Sequence, residues 1–200
     1  MATEIEIYAD YMTGVRMRVG VIKSTMATDR MPEFAKAELV FLQFRKALEL
    51  IAFASLAANK DAYAKASPRF AEEWRAKTIL EKIAKINPSF WPMALDAPQD
   101  TAPKHKYFTR PNGGFLTQEE FVTLYEVASE VIHTRNPFTG KDPTIDTKYA
   151  AEEWIARIQR LLAWHRVQLL SGSLWIVSIP EKGDVTVSPA APLDELEGAQ

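Results

Sequence analysis

The sequence contains no cysteine. That removes disulfide bonding and thiolate chemistry, and it fits a reducing compartment. Histidine is scarce as well. The three present, His105, His133 and His165, stand far apart, and none has a carboxylate or second histidine at a zinc-ligand spacing. No metal and no other cofactor is therefore expected. Gly113-Gly114 is the sole glycine pair, and no Gly-Lys-Ser/Thr follows it. A phosphate-binding loop, a dinucleotide fingerprint and a nucleophile elbow are all missing.

Long apolar runs are missing too. The longest, Leu50 to Ala58 with Ser55 inside it, falls far short of the roughly 18 residues a membrane span needs. The start, Met1-Ala-Thr-Glu-Ile-Glu6, lacks the basic and then apolar order of a secretory signal. A soluble, cytoplasmic protein with no membrane association is expected. Net charge is −2, whereas a dedicated nucleic-acid binder is usually strongly basic. The charge is uneven: residues 1–110 carry 17 Lys and Arg against 13 Asp and Glu, and residues 111–200 carry 7 against 13. Such an asymmetry permits an acidic partner without calling for one.

The 200 residues that remain are 47% hydrophobic and 25% charged, ordinary for a globular domain long enough to bury a core. The fold class expected is mainly α: a bundle of about five helices with a small C-terminal β-hairpin. Ile5, Tyr8, Met12, Val15, Val19, Ile22 and Met26 recur at alternating steps of three and four, which lines one face of a first helix. That face suits one side of a bundle better than a dimeric coiled coil. Gly14 and Gly20 weaken this helix unless they admit a close neighbour. A second helix from Pro32 to Asn59 is apolar almost all round after Ala47, as a central buried helix is. A third is expected from Ser67-Pro68 to Asn87-Pro88, whose proline stops it. Thr117-Gln-Glu-Glu120 is a capping box that opens a fourth helix. A fifth is read from about Thr147 to Leu170. Leu174 to Ile179 and Val185 to Val187, around Pro180-Glu-Lys-Gly-Asp184, carry a hairpin signal. Residues 1–188 thus read as a single domain, with a long Pro-rich loop over 88–116 and the hairpin at 173–188. Residues 189–200 read as a disordered acidic tail.

Three groups of residues have the chemistry of a site. Glu38, Arg45 and Glu49 lie near one line on the second helix, and Glu49 follows Arg45 by one turn. The plain reading is a half-buried structural ion pair; the functional one is an arginine aimed at an anion or other ligand. Glu130, His133, Arg135 and Asn136 gather where the fourth helix gives way to a loop. There a near-neutral titratable group, a cation and an amide come together. The plain reading is that Asn136-Pro137 ends the helix and His133 answers its dipole. The last group is Arg160 and His165. Five residues on a regular helix turn through about 500°, so the two side chains should diverge by about 140°, and a core histidine is the plain reading of His165.

The Arg160-x4-His165 spacing resembles the HEPN superfamily of helical bundles, which includes RNA-cleaving toxins and defence proteins. In that family a polar residue commonly follows the arginine, where this chain has Leu161. The resemblance implies His133 or His165 as acid or base and Arg135 or Arg160 as phosphate ligand. The segments Phe41 to Ile51, Ile86 to Pro92 and His133 to Phe138 also resemble a group of uncharacterised bacterial all-helical proteins, a likeness that implies no activity.

Three functions stay open. The first is a helical interaction module that binds a protein partner or itself. The second is a HEPN-like, metal-independent ribonuclease or RNA-binding protein of bacterial defence. The third is a small-ligand binder with loop 88–116 as a lid over Trp91, Tyr107 and Phe108. The ribonuclease reading requires a histidine and an arginine to meet in a cleft; the ligand reading requires a pocket beside the long loop.

Overall fold

The computed structural model describes residues 2–66, 75–102, 105–134, 138 and 144–190. The chain is mainly helical, with six helices among the described residues and a small antiparallel sheet of four strands.

Helix α1 (Glu4–Met26) starts at a capping box in which Thr3 and Glu6 satisfy each other's backbone N–H groups. Its seam is buried at Tyr8, Met12, Val15, Val19 and Ile22. Full burial of a side chain such as Met12 or Ile22 contributes about 2 kcal/mol. The seam faces the rest of this chain. Helix α2 (Glu33–Ala58) runs back along α1: Tyr11 stacks on Phe53, and Arg18 donates to Gln43 Oε1 at 2.8 Å. At Gly14 the close approach is real, because a Cβ there would stand 2.9 Å from Leu50 Cδ1. At Gly20 a Cβ would meet nothing within 4 Å.

Helix α2 is the hub. Ala47, Leu48, Ile51, Ala52 and Ala54 are fully buried, and α1, α4 and α5 all pack on it. A short α3 (Lys60–Ala66), not expected from the sequence, follows Asn59 at once. The expected start of the third helix at Ser67-Pro68 lies outside the described residues. The helix found is α4 (Ala76–Ile86), which begins after an extended N-cap at Arg75, later than expected, and which Asn87 ends as expected. The Asn87 amide donates to Asn59 Oδ1 at 2.9 Å and to the Gln168 carbonyl at 2.8 Å, tying three segments together.

Residues 88–116 are not a structureless loop. They hold β1 (Met93–Ala94), β2 (Gln99–Ala102) and β3 (His105–Tyr107); β2 and β3 pair with each other. Helix α5 (Gln118–Ile132) opens with the expected capping box of Thr117 and Glu120. Helix α6 (Ala151–Leu162) is shorter than the expected fifth helix, because the chain turns at Ala163 into β4 (Trp164–Gln168). Along β4 burial alternates, with His165 and Val167 inside. The 3-4 seam of Trp154, Ile158 and Leu161 runs without a break into that alternation, so the sequence period did not mark the change.

Strand β4 lies between β1 and β5 (Leu174–Ser178), and β5 pairs with β6 (Thr186–Ala190), giving the order β1-β4-β5-β6. The two segments with the hairpin signal pair with each other and form one edge of this sheet. Residues 189 and 190, read as the start of the tail, belong to β6; residues 191–200 lie outside the described part.

Candidate functional site

The arginine of α2 is committed to the fold. Arg45 donates from Nη1 to Ser129 Oγ at 2.7 Å, from Nη2 to the Tyr125 hydroxyl at 3.2 Å and from Nε to Glu49 Oε1 at 3.3 Å. Its guanidinium lies 4.8 Å from the centre of the Tyr125 ring. Lys46 adds a contact to Glu49 Oε2 at 2.8 Å. These interactions join α2 to α5. Glu38 is exposed and takes no part in them.

His133 caps the C-terminus of α5 with an extended backbone and an exposed side chain. Glu130 is exposed one turn before it. Arg135 and Asn136, expected beside them, lie outside the described residues.

His165 is fully buried. Its Nδ1 lies 3.0 Å from the Leu162 carbonyl oxygen, which only accepts, so Nδ1 carries the proton and Nε2 accepts from the Tyr8 hydroxyl at 2.8 Å. Tyr8 in turn meets the edge of Trp175, with ring centres 5.7 Å apart. Burial pushes the His165 pKa down to about 4 and the Tyr8 pKa above its ordinary value. The pair is a neutral polar joint between α1 and β4. Arg160 points elsewhere: its Nε donates to the Gly113 carbonyl at 3.0 Å, and its Nη2 lies 3.7 Å from Asp96 Oδ1. The spacing of Arg160 and His165 does not bring their side chains together, because one sits on a helix and the other on a strand.

The aromatic residues of segment 88–116 divide in the same way. Trp91 packs on Phe121, Phe108 on Trp164, and Tyr107 is exposed. They share no common wall. Another part of that segment does line a cavity. Residues 95–97 line a cleft of about 700 Å³ together with α1, the end of α6 and the turn after β5.

The cleft follows from local features of the chain. Val15 and Val19, from the seam of α1, form its floor with Ile158, Leu162, Trp164 and Ile179. On the adjoining stripe of α1 stand Arg16, Gly20 and Lys23, one turn apart. Arg16 Nη1 donates to the Pro180 carbonyl at 2.8 Å and the Gly183 carbonyl at 2.6 Å. That fixes the turn, where Gly183 takes a φ of 92° that suits glycine. Gly20 leaves open space where a side chain would stand. The backbone N–H of Leu95 donates to the Trp164 carbonyl at 2.8 Å and that of Ile179 to the Ala163 carbonyl at 2.9 Å, anchoring both side walls to the end of α6. Asp96 is braced by Thr109, whose hydroxyl donates to Oδ2 at 2.9 Å.

The rim carries Arg16, Lys23 and Arg160 against Asp96 and Glu181. Of these, sequence reasoning singled out Arg160 alone. For Arg16 and Lys23 the sequence offers only their shared stripe with Gly20 beside the apolar seam, and for Asp96 and Glu181 it offers no signal. No group of three or more His, Asp or Glu residues among the described residues is placed to hold a metal ion. No described helix is long and apolar enough to cross a membrane. Compared with known proteins, the chain matches no family model, no curated protein and no solved structure.

Proposed function

We propose that the protein binds a small, largely apolar molecule in the cleft between α1 and the end of α6. The observation that carries this reading is the cleft's make-up: about 700 Å³ lined by the buried Val15, Val19, Ile158 and Leu162, with its five charged groups among the partly or fully exposed residues. Ligand sites commonly enclose about 300 to 1,000 Å³ and are built in this way. Two sides belong to α1 and α6, and the other two, residues 95–97 and the turn after β5, are anchored by backbone hydrogen bonds from Leu95 and Ile179, so little ordering is needed on binding. The Pro-rich segment contributes through Leu95 to Ala97 rather than through Trp91, Tyr107 and Phe108.

The other readings have less support. A ribonuclease of HEPN type needs a histidine beside an arginine, and His165 has Tyr8 and Leu162 on its two ring nitrogens. An interaction module needs a partner, and the exposed Met17, Val21 and Phe34 do not name one.

Equilibrium binding of the neutral dye Nile red tests the proposal. One saturable site with blue-shifted emission is expected. The substitution Ala163→Trp, which adds an indole at an exposed position lining the cleft, should weaken binding about tenfold or more, with the urea midpoint unchanged. Absence of a saturable site, or equal affinity in the variant, would refute it.

A further inference from the structure

Granting that the cleft is a binding site, we infer that its ligand carries a negatively charged head, held at the rim by Lys23 and Arg160 while its apolar body lies on the floor.

The inventory of rim groups supports an anion. Three cations face two carboxylates, and the five groups are not equally available. Arg16 uses Nη1 on two backbone carbonyls. One carboxylate, Asp96, already accepts from the Thr109 hydroxyl at Oδ2. Arg160 is half exposed, its Nε is fixed by Gly113, and its contact to Asp96 at 3.7 Å is too long for a hydrogen bond. Its terminal nitrogens therefore retain donors for a carboxylate or similar group, and the Gly113 contact orients them beforehand. Lys23 lies in the last turn of α1, exposed, and its ammonium makes no side-chain hydrogen bond or ion pair among the described residues.

The placement of the cations matters as much as their number. Lys23 projects from α1 and Arg160 from α6, so the two come from different walls of one cleft. Val19, Leu162 and Ala163, which are apolar, line the same cleft. A ligand lying in this cleft with its head at the mouth has a cation available from each of these two helices. Glu181, on the turn after β5, is the remaining exposed acid of the rim. It disfavours a dianion and sets the expected head at a single negative charge. The chemical class that fits is a small amphiphile with one carboxylate or equivalent monoanionic group.

Decanoate and decan-1-ol share a chain and differ in the head, and titration calorimetry of both against the full chain tests the assignment. At pH 7.5 and low salt, decanoate should bind about tenfold more tightly than decanol. The preference should shrink as salt is raised from 20 to 500 mM, since exposed charges are screened over about 3 to 10 Å in concentrated salt. In the double variant Lys23→Gln, Arg160→Gln, decanoate should fall to the affinity of decanol while decanol keeps its own. If both bind equally in the native chain, or the preference survives the double substitution, the anion assignment is overturned and the cleft reading stands. If neither binds, and Nile red does not bind either, the cleft reading itself fails.

Discussion

Lowering the pH from 7 to 4 should weaken the fold through a single buried ring. In the folded chain His165 is neutral, with Nδ1 donating to Leu162 and Nε2 accepting from Tyr8. Protonation would place a charge in a fully buried site and turn Nε2 from acceptor into donor against a hydroxyl already donating to it. Burial therefore holds the folded pKa at about 4, below the ordinary value of 6.5. In the unfolded chain the ring takes up its proton near 6.5. Between these two values the unfolded state binds more protons, so stability falls as the pH falls. The contribution is complete above pH 6.5, declines below it and is exhausted near pH 4. At 1.36 kcal/mol per pH unit the window corresponds to about 3 kcal/mol. Urea unfolding at intervals between pH 7.5 and 4.5 measures it, with His165→Gln as the reference. The glutamine amide supplies a donor and an acceptor without titrating, and the carboxylates are common to both proteins. By pH 4.5 the native chain should have lost about 2 to 3 kcal/mol more than the variant. Parallel pH profiles for the two proteins would refute the reasoning.

The remaining predictions concern the same framework. Tyr8→Phe leaves Nε2 of His165 without its donor and should cost about 1 to 2 kcal/mol in urea unfolding. Gly20→Ala meets no atom within 4 Å and should stabilise α1 by about 1 kcal/mol. Gly14→Ala forces its Cβ against Leu50, and overpacking should cancel or reverse the same helix gain by about 1 kcal/mol; a rise in melting temperature for both would contradict the close α1–α2 contact. Glu120 is buried, accepts from Arg157 at 3.0 and 3.1 Å and from the Tyr149 hydroxyl at 3.1 Å, and caps α5. Glu120→Ala should therefore cost about 1 to 3 kcal/mol, since Arg157 and Tyr149 lose their hydrogen-bond acceptor while Glu153 Oε1 remains 2.8 Å from Arg157 Nε.

What the sequence disclosed was local. The capping box at Thr117 and Glu120 needs only four consecutive residues, and the seam of α1 needs only one helical period. The Arg45–Glu49 pair was legible at one helical turn, whereas Ser129 and Tyr125, which complete it, come from α5. Strand β4 was hidden because Trp164 to Gln168 satisfies two periods at once: His165 and Leu169 continue the helical seam of Ile158 and Leu161, and His165 and Val167 also alternate as a strand. Pairing with β1 and β5 decides between them, and β1 lies far back in the chain within a segment dominated by proline. The cleft was less legible still. Arg16, Lys23, Asp96 and Glu181 are ordinary surface residues in their own segments and become one rim only when α1, the segment before β2 and the turn after β5 meet at the end of α6.

The most direct test of the central claim is methyl NMR of the protein labelled at isoleucine, leucine and valine during titration with decanoate. The methyls of Val15, Val19, Ile158, Leu162 and Ile179, which line the cleft, should shift together and saturate along one binding curve. Ile51 and Ile83, fully buried on α2 and α4 away from it, should stay in place. Saturable shifts confined to other methyls, or no saturable shift at these five, would contradict it.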